Sequence, residues 1–449
     1  MPARAPAVRA KWGNMKHVVY ALVGAALFVS TPAFAQEQAG FPAAVEAQIQ
    51  SVLPRMIAWR RDFHQHPELS YEEVRTARVI AAHLRSLRLE VRTGVAQTGV
   101  VGVLQGGRPG PVIALRADMD ALPVTEEGDL PFRSRARGRY NDQDVGIMHA
   151  CGHDTHMAVL MAAASVLAAR REDIAGTIIF VFQPSEEGAP PGGLGGARRM
   201  LEENVFGDLQ PEAIYGLHAW PVQSGRVMIM PGPFMAGSDR LDIRVTGSQT
   251  HGAQPHAGVD PIVVSAQIIN ALQTIPSRQM DAVRSPVIVT IGSVQGGVRY
   301  NIIPQNVDMQ GTIRYLNPET REDLYARIRR TVTEIAAASG ATAEVSIAEN
   351  AVPVVNPPAL TVRARAAMVR ALGETAIVSG QPVMPAEDFA YFQQQIPGVF
   401  FFYGVNAPGV EAADAAPNHN PRFFVHEPAM ETALRAMLAV AFDRVGARD

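Results

Sequence analysis

Apolar positions change their period along the chain. Between residues 45 and 88, Ile49, Val52, Met56, Trp59 and Phe63 recur at helical spacing, as do Val79, Ile80, Leu84 and Leu87, which predicts helices. Beyond them, residues 100–104 and 112–115 are short apolar runs bounded by Gly and Pro, the signature of strands. Residues 153–167, rich in Ala, Met and Leu, predict a helix, and residues 177–182 a strongly apolar, β-branched strand. Residues 213–217 and 399–403 predict further short strands. Short buried strands alternating with helices indicate an α/β sheet covered on both faces.

The middle of the chain reads differently. Residues 239–245 alternate as a strand, 261–274 form an amphipathic helix, and 287–294 and 307–315 are strands. A helix over 318–338 and a strand over 342–347 complete the set. This strand-helix-strand-strand-helix-strand order is ferredoxin-like. The expected organisation is a catalytic α/β domain (residues 36–232 and 351–449) interrupted by an inserted α+β lid or dimerisation domain (residues 233–350).

Composition narrows the class. The 449 residues are 47% hydrophobic and 18% charged with a formal net charge of -3, which is ordinary globular usage without the basic surplus of a nucleic-acid partner. A single cysteine, Cys151, excludes an intrachain disulfide framework. At the N-terminus, Lys16 and His17 precede an apolar run over 18–29 and an Ala33-Phe34-Ala35 cleavage signature. That order predicts a secretory signal over residues 1–35, cut before Gln36, and a periplasmic or secreted mature chain. Translation starts at Met1 or Met15 on this reading. No second long apolar stretch follows, so the mature chain is expected to have no membrane span.

Chemistry-bearing residues collect at predicted strand ends, where open α/β sheets build their sites. Arg116-Ala117-Asp118-Met119-Asp120 follows one strand. Met148 to His156 packs a thiol, three imidazoles and a carboxylate into one short stretch. Cys151 and His153 are two apart, so an extended segment would point both the same way, and thiolate and imidazole are strong ligands for zinc-like ions. Glu186-Glu187 ends the most hydrophobic strand; on an extended backbone these side chains point apart, one towards a metal and one towards a water. His218 stands at another strand end, and His419 lies in the polar loop Asn418-His419-Asn420. A lone histidine is ordinarily a satisfied structural residue; the company of the other clusters reverses that expectation. Ala386-Glu387-Asp388-Phe389 adds a further acidic pair.

One thiolate, three imidazoles and a carboxylate can serve two divalent ions if one donor bridges. The positive charge left after a thiolate and a carboxylate bind lowers the pKa of a water between the ions. A neighbouring carboxylate then takes its proton and returns it to a leaving amine, which is amide hydrolysis without a covalent intermediate.

The strings RADMDALP, MHACGHDTHMA, FQPSEEG, GLHAWP and SQTHGAQPH resemble metallopeptidase family twenty, subfamily D, from about Ala44 to near the C-terminus. That group holds N-acyl-amino-acid amidohydrolases, hippurate hydrolases and hydrolases of plant auxin conjugates. The resemblance implies metal ligands at Cys151, His153, Glu187, His218 and His419, with the cysteine bridging two ions, and Glu186 as general acid/base. It implies that Asp118 positions ligands, that the lid mediates a homodimer, and that His251 reaches a neighbouring active site to stabilise the oxyanion. Asn301 and Arg314 would hold a substrate carboxylate. The substrate would be a small N-acyl amino acid or a peptide. The ions would be Zn, Mn, Co or Ni, with the thiolate favouring zinc. Relatives usually carry Ala at the position of Ser185, and an Asp-Glu pair where His426-Glu427 stands here. A dipeptidase or exopeptidase of the same mechanism is the alternative. A non-catalytic binding protein is disfavoured by the intact Glu186 and the complete ligand set.

Overall fold

A computed structural model of the protein describes residues 40–189 and 193–446. The expected signal segment and its cleavage site lie outside these residues. No helix among the described residues is long and apolar enough to cross a membrane.

The larger sheet has eight strands. Its centre is formed, in spatial order, by Ala175–Gln183, Arg108–Asp118, Ala213–Gln223 and Gly398–Asn406, all parallel to one another. The strands Gly99–Gln105 and Glu90–Val95 extend one side antiparallel, and the short strands Val227–Met228 and Ile377–Val378 close the other.

The central strands are apolar on both sides because both sides are covered. In Ala175–Gln183, Ile178, Phe180 and Phe182 pack into one core, and Ile179 and Val181 into the other. The first core is roofed by the helices Ala43–Gln65, His153–Ala169 and Ala429–Val445. His153–Ala169 is buried nearly all round, which is why its sequence lacks a polar stripe. The second core takes residues of the helices Gly196–Glu202 and Phe389–Gln393.

Arg108–Asp118 and Ala175–Gln183 are adjacent, but the next helix after each lies on opposite faces. Their carboxyl ends therefore open a crevice between diverging connections. Asp118 pairs in register with Gln183 at its mouth.

The inserted segment forms a four-stranded antiparallel sheet in the order Val287–Gly296, Asn306–Tyr315, Gly237–Thr246, Thr342–Ala351. The helices Pro261–Leu272 and Arg321–Ala338 pack on it around Leu241, Ile243, Ile268, Ile313, Ile328 and Val332. The ferredoxin-like connectivity is as the periodicity predicts. Asp260 caps the first helix by accepting from the Ile262 N–H at 2.9 Å.

Several elements differ from expectation. The helices expected over 45–88 are present as Ala43–Gln65 and Val74–Ser86, but the loop between them, which carries Glu68 and Glu73, is absent from that expectation. The helix expected from Pro318 begins with a 3₁₀ turn, Pro318–Thr320, before Arg321–Ala338. The edge strand Glu90–Val95 and the hairpin Arg137–Tyr140 with Gln143–Gly146 are mostly exposed, so they carry no apolar run to reveal them.

Candidate active site

Three loops deliver side chains to the crevice, and each turns through a left-handed residue. Gly152 has φ +91°, and a Cβ there would lie 2.7 Å from the Ala219 Cβ. Ser185 has φ +51° and His419 φ +68°. Non-glycine residues in this region cost roughly 1–3 kcal/mol each and persist only where their surroundings hold them. The His419 loop is held by one main-chain and one side-chain donor: His419 N–H donates to Ala150 O at 2.8 Å, and Asn418 Nδ2 donates to Ala219 O at 3.2 Å and Cys151 O at 3.3 Å.

These turns correct two expectations. Cys151 and His153 do not share a face of an extended segment: the left-handed Gly152 sits between them and His153 opens the helix His153–Ala169. Glu186 and Glu187 do not diverge from an extended backbone either. The strand ends at Gln183, and the turn at Ser185 brings both carboxylates towards His153 Nε2, at 3.9 Å for Glu186 and 3.7 Å for Glu187.

The five expected ligands come together. Cys151 Sγ lies 3.4 Å from His218 Nε2 and 3.3 Å from His419 Nε2, and His419 Nε2 lies 3.1 Å from Glu187 Oε1. Donor atoms of Cys151, Glu187 and His419 all lie within 4.8 Å of one another, as do those of His153, Glu186 and Glu187. Cys151, His153 and His218 are buried, whereas the His419 side chain is 54% exposed and closes the open side.

Ring orientation is fixed from behind. His153 Nδ1 donates to Asp120 O at 2.8 Å and His218 Nδ1 to Ala219 O at 2.8 Å, which leaves both Nε2 atoms facing inward. Asp118 approaches His153 Nδ1 only to 3.8 Å. Its close partners are His156 Nδ1 at 2.6 Å and Arg116 at 2.7 Å. His156 Nε2 accepts from Ala219 N–H at 2.8 Å, so Asp118 fixes the strand that carries His218 through His156.

Charge in the crevice is mostly negative. Arg116, fully buried, donates to Asp118, to Glu387 at 2.9 Å, to Asp388 at 3.2 Å and to Gln183 Oε1 at 2.8 Å. Burial, then the carboxylates of Glu387, Glu187 and Asp388, push the Glu186 pKa well above the usual carboxylate range. Burial, then Glu187 and Glu186, raise the Cys151 thiol well above its ordinary value. Burial opposes protonation of His153, yet Asp118 and Asp120 outweigh it and raise its pKa to about 10.

Other candidates stand elsewhere. His251 is exposed in a two-stranded ladder with Ile302, its Nδ1 accepting from Ala253 N–H at 3.0 Å. Asn301 adjoins it, accepting from Gly252 N–H through its carbonyl at 2.9 Å. Arg314, half-buried, pairs in register with Ser238 and Ile288 in the inserted sheet. His149 is buried with neither ring nitrogen partnered among the described residues, and burial lowers its pKa to about 3, so it stays neutral. His426 hydrogen-bonds Ser224 Oγ at 3.0 Å, and Glu427 pairs with Arg60 and Arg61. Sequence reasoning overlooked Glu73 and gave no role to Asp120 or Arg116; the burial of a carboxylate in a polar string such as Ser70-Tyr71-Glu72-Glu73 has no local signature.

The residues fit divalent cations. His153 Nε2 is buried with no hydrogen-bond partner among the described residues, and a thiol, imidazoles and a carboxylate converge around it. A soft thiolate beside imidazoles suits zinc-like ions. Because the Cys151 thiol and the His153 imidazolium hold protons at neutral pH, metal binding must release them. Adding Zn2+ to metal-free protein at pH 7 in weak buffer should therefore acidify the solution. Cys151→Ser should lower that release by about one proton and reduce bound metal; unchanged metal content would remove Cys151 from the ligand set.

Comparison with known proteins agrees with this geometry. Residues 114–443 match the model of peptidase family M20/M25/M40. The chain is 40% identical over 395 residues to thermostable carboxypeptidase 1 of Saccharolobus solfataricus, covering 86% of this chain and 95% of that one. It is 38% identical over 381 residues to the N-acetylcysteine deacetylase of Bacillus subtilis, covering 84% and 94%. Among solved structures it resembles a dinuclear metal-binding peptidase of the M20 family from Bacillus subtilis, with TM-score 0.73 and 35% identity over 87% of this chain and 98% of that one. The chain belongs to peptidase family M20/M25/M40 and is a metal-dependent hydrolase of amide bonds.

Proposed function

We propose that the protein is an exported amidohydrolase that cleaves N-acyl amino acids, with Cys151, His153, Glu187, His218 and His419 holding two divalent ions and Glu186 carrying the proton. The observation that carries this reading is the convergence of the five donors with the Glu186 carboxylate, whose side chain is only 8% exposed, at the carboxyl edge of the sheet. When bound, the ions polarise the amide carbonyl and lower the pKa of the attacking water.

The protein groups do the rest. Glu186 accepts the water proton on a carboxylate oxygen as the water oxygen bonds to the amide carbon. It holds that proton until the C–N bond breaks, and then passes it to the leaving nitrogen. The products are a carboxylic acid and an amine. Arg116 holds Glu387 and Asp388 beside Glu186, so their carboxylates remain fixed while Glu186 changes charge.

His251 would stabilise the developing oxyanion from a second copy of the chain, and Asn301 and Arg314 would hold the substrate carboxylate. Support for self-association comes from the inserted sheet, where Val287–Gly296 is an outer strand and Val294, Val298 and Tyr300 are strongly exposed. The thiolate favours zinc, with Mn, Co and Ni as alternatives. Export rests on the N-terminal signal pattern in residues 1–35. A relative named N-acetylcysteine deacetylase favours acylated amino acids, and one named thermostable carboxypeptidase favours peptides as the second reading. Both substrates present a free carboxylate close to the scissile amide.

Metal-loaded protein should release amine from N-acetyl or N-benzoyl amino acids, and Glu186→Gln should abolish release while retaining metal. Release from dipeptides alone would select the peptidase reading, and release from no member of either set would contradict both. His251→Ala should keep its metal content but turn over about 100-fold more slowly. Full activity in a strict monomer would exclude the cross-subunit role.

A further inference from the structure

We propose that Glu73 and Asp120 form a carboxylate clamp that sets the turn 185–187, making them positioning residues for Glu186 and Glu187. The inference rests on the roles proposed for those two glutamates. Three successive peptide N–H groups follow Pro184, beyond the last residue of the strand Ala175–Gln183, where no neighbouring strand receives them. Each is taken by a buried carboxylate. Ser185 N–H donates to Glu73 Oε1 at 3.0 Å, Glu186 N–H to Asp120 Oδ1 at 2.9 Å, and Glu187 N–H to Asp120 Oδ2 at 3.0 Å.

The clamp is itself braced. Thr98 Oγ1 donates to Glu73 Oε2 at 2.6 Å, and Ser70 Oγ donates to Asp120 Oδ2 at 2.8 Å. Glu73 stands immediately before the helix Val74–Ser86, whose first turn is fixed by Glu68 accepting from Arg75 N–H at 3.0 Å and Thr76 N–H at 2.8 Å. Glu73 and Asp120 are 0% and 1% exposed; Glu73 pairs with no Arg, Lys or His among the described residues, and the cation beside Asp120 is His153, whose Nδ1 lies 3.5 Å from Asp120 Oδ1. Burying a carboxylate without a cation is unfavourable unless it accepts strong hydrogen bonds. Here those bonds go to the backbone that aims Glu186 and Glu187. Asp120 also accepts from His153 Nδ1 through its main-chain oxygen, so one residue orients a ligand on each side of the crevice. Ser185 at φ +51° is the conformation this clamp holds.

The two members differ in what they tolerate. Glu73 needs one oxygen for an N–H, and its other oxygen faces a hydroxyl that can also accept. Glutamine can therefore replace it. Asp120 accepts on both oxygens, so asparagine would set an NH2 group against a peptide N–H.

The test compares Glu73→Gln, Glu73→Ala and Asp120→Asn with wild type. The readouts are Zn2+ affinity by chelator competition, kcat and KM on the best substrate, and melting temperature, with Glu187→Ala as the control for the ligand assignment. Glu73→Ala and Asp120→Asn should lose about 10- to 100-fold in Zn2+ affinity or kcat, with KM nearly unchanged, while Glu73→Gln stays close to wild type. If Glu73→Ala fails to fold, the Glu73→Gln and Asp120→Asn pair decides. Wild-type Zn2+ affinity and kcat in Asp120→Asn, or a melting temperature that alone changes, would overturn the clamp. Unchanged Zn2+ affinity in Glu187→Ala would instead contradict the ligand assignment. Absence of turnover in wild type would contradict the proposed function while leaving the affinity comparison intact.

Discussion

Arg116 is buried to its last nitrogen at the end of the strand Arg108–Asp118, and its guanidinium is the fixed cation around which the acidic crevice is arranged. It binds Asp118, Glu387 and Asp388 together, although burial raises the proton affinity of Asp388 to a pKa of about 8. Removing one partner from such a buried network costs about 3–5 kcal/mol, because the others are left uncompensated. One guanidinium does not balance Asp118, Glu387, Asp388, Asp120, Glu73, Glu186 and Glu187. The raised proton affinities of Glu186 and Asp388 reflect that shortage of positive charge, and a crevice that also aims imidazole Nε2 atoms and a thiol inward takes divalent cations as its natural complement.

Local backbone and long-range anchoring are two parts of one arrangement. Apart from His218, which stands on a strand, the candidate donors sit on turns with left-handed residues at Gly152, Ser185 and His419, and partners distant in sequence hold each turn. Ala219 stands opposite Gly152 so closely that no side chain fits there, while its own N–H is bound by His156 and, through it, by Asp118. The strand carrying His218 and the turn carrying Cys151 and His153 are thus fixed against each other, and the donors are oriented in advance of binding.

The architecture was legible wherever apolar periodicity was strong. The central strands and the ferredoxin-like insertion announce themselves because buried faces demand apolar residues at fixed spacing. The cluster of candidate donors is legible through the density of Cys, His and Glu at strand ends. The resemblance to metallopeptidase family twenty, subfamily D, added the roles. What the sequence hides is contact over distance. Glu73 reaches Ser185 across 112 positions, and Arg116 reaches Glu387 across 271, so neither partnership has a local pattern. Turn geometry was also misjudged. The two-residue spacing of Cys151 and His153 suggests one shared face, yet the glycine between them permits a left-handed turn, which spacing alone does not disclose.

The central claim is that these donors hold two ions with the Cys151 sulfur between them. Crystals of zinc-loaded protein, with anomalous data collected on both sides of the zinc edge, test it directly. The account predicts two anomalous peaks per chain, both bound by Cys151 Sγ, with His153, Glu187, His218 and His419 completing the ligands. A single peak, or two peaks that leave Cys151 unbound, would contradict it.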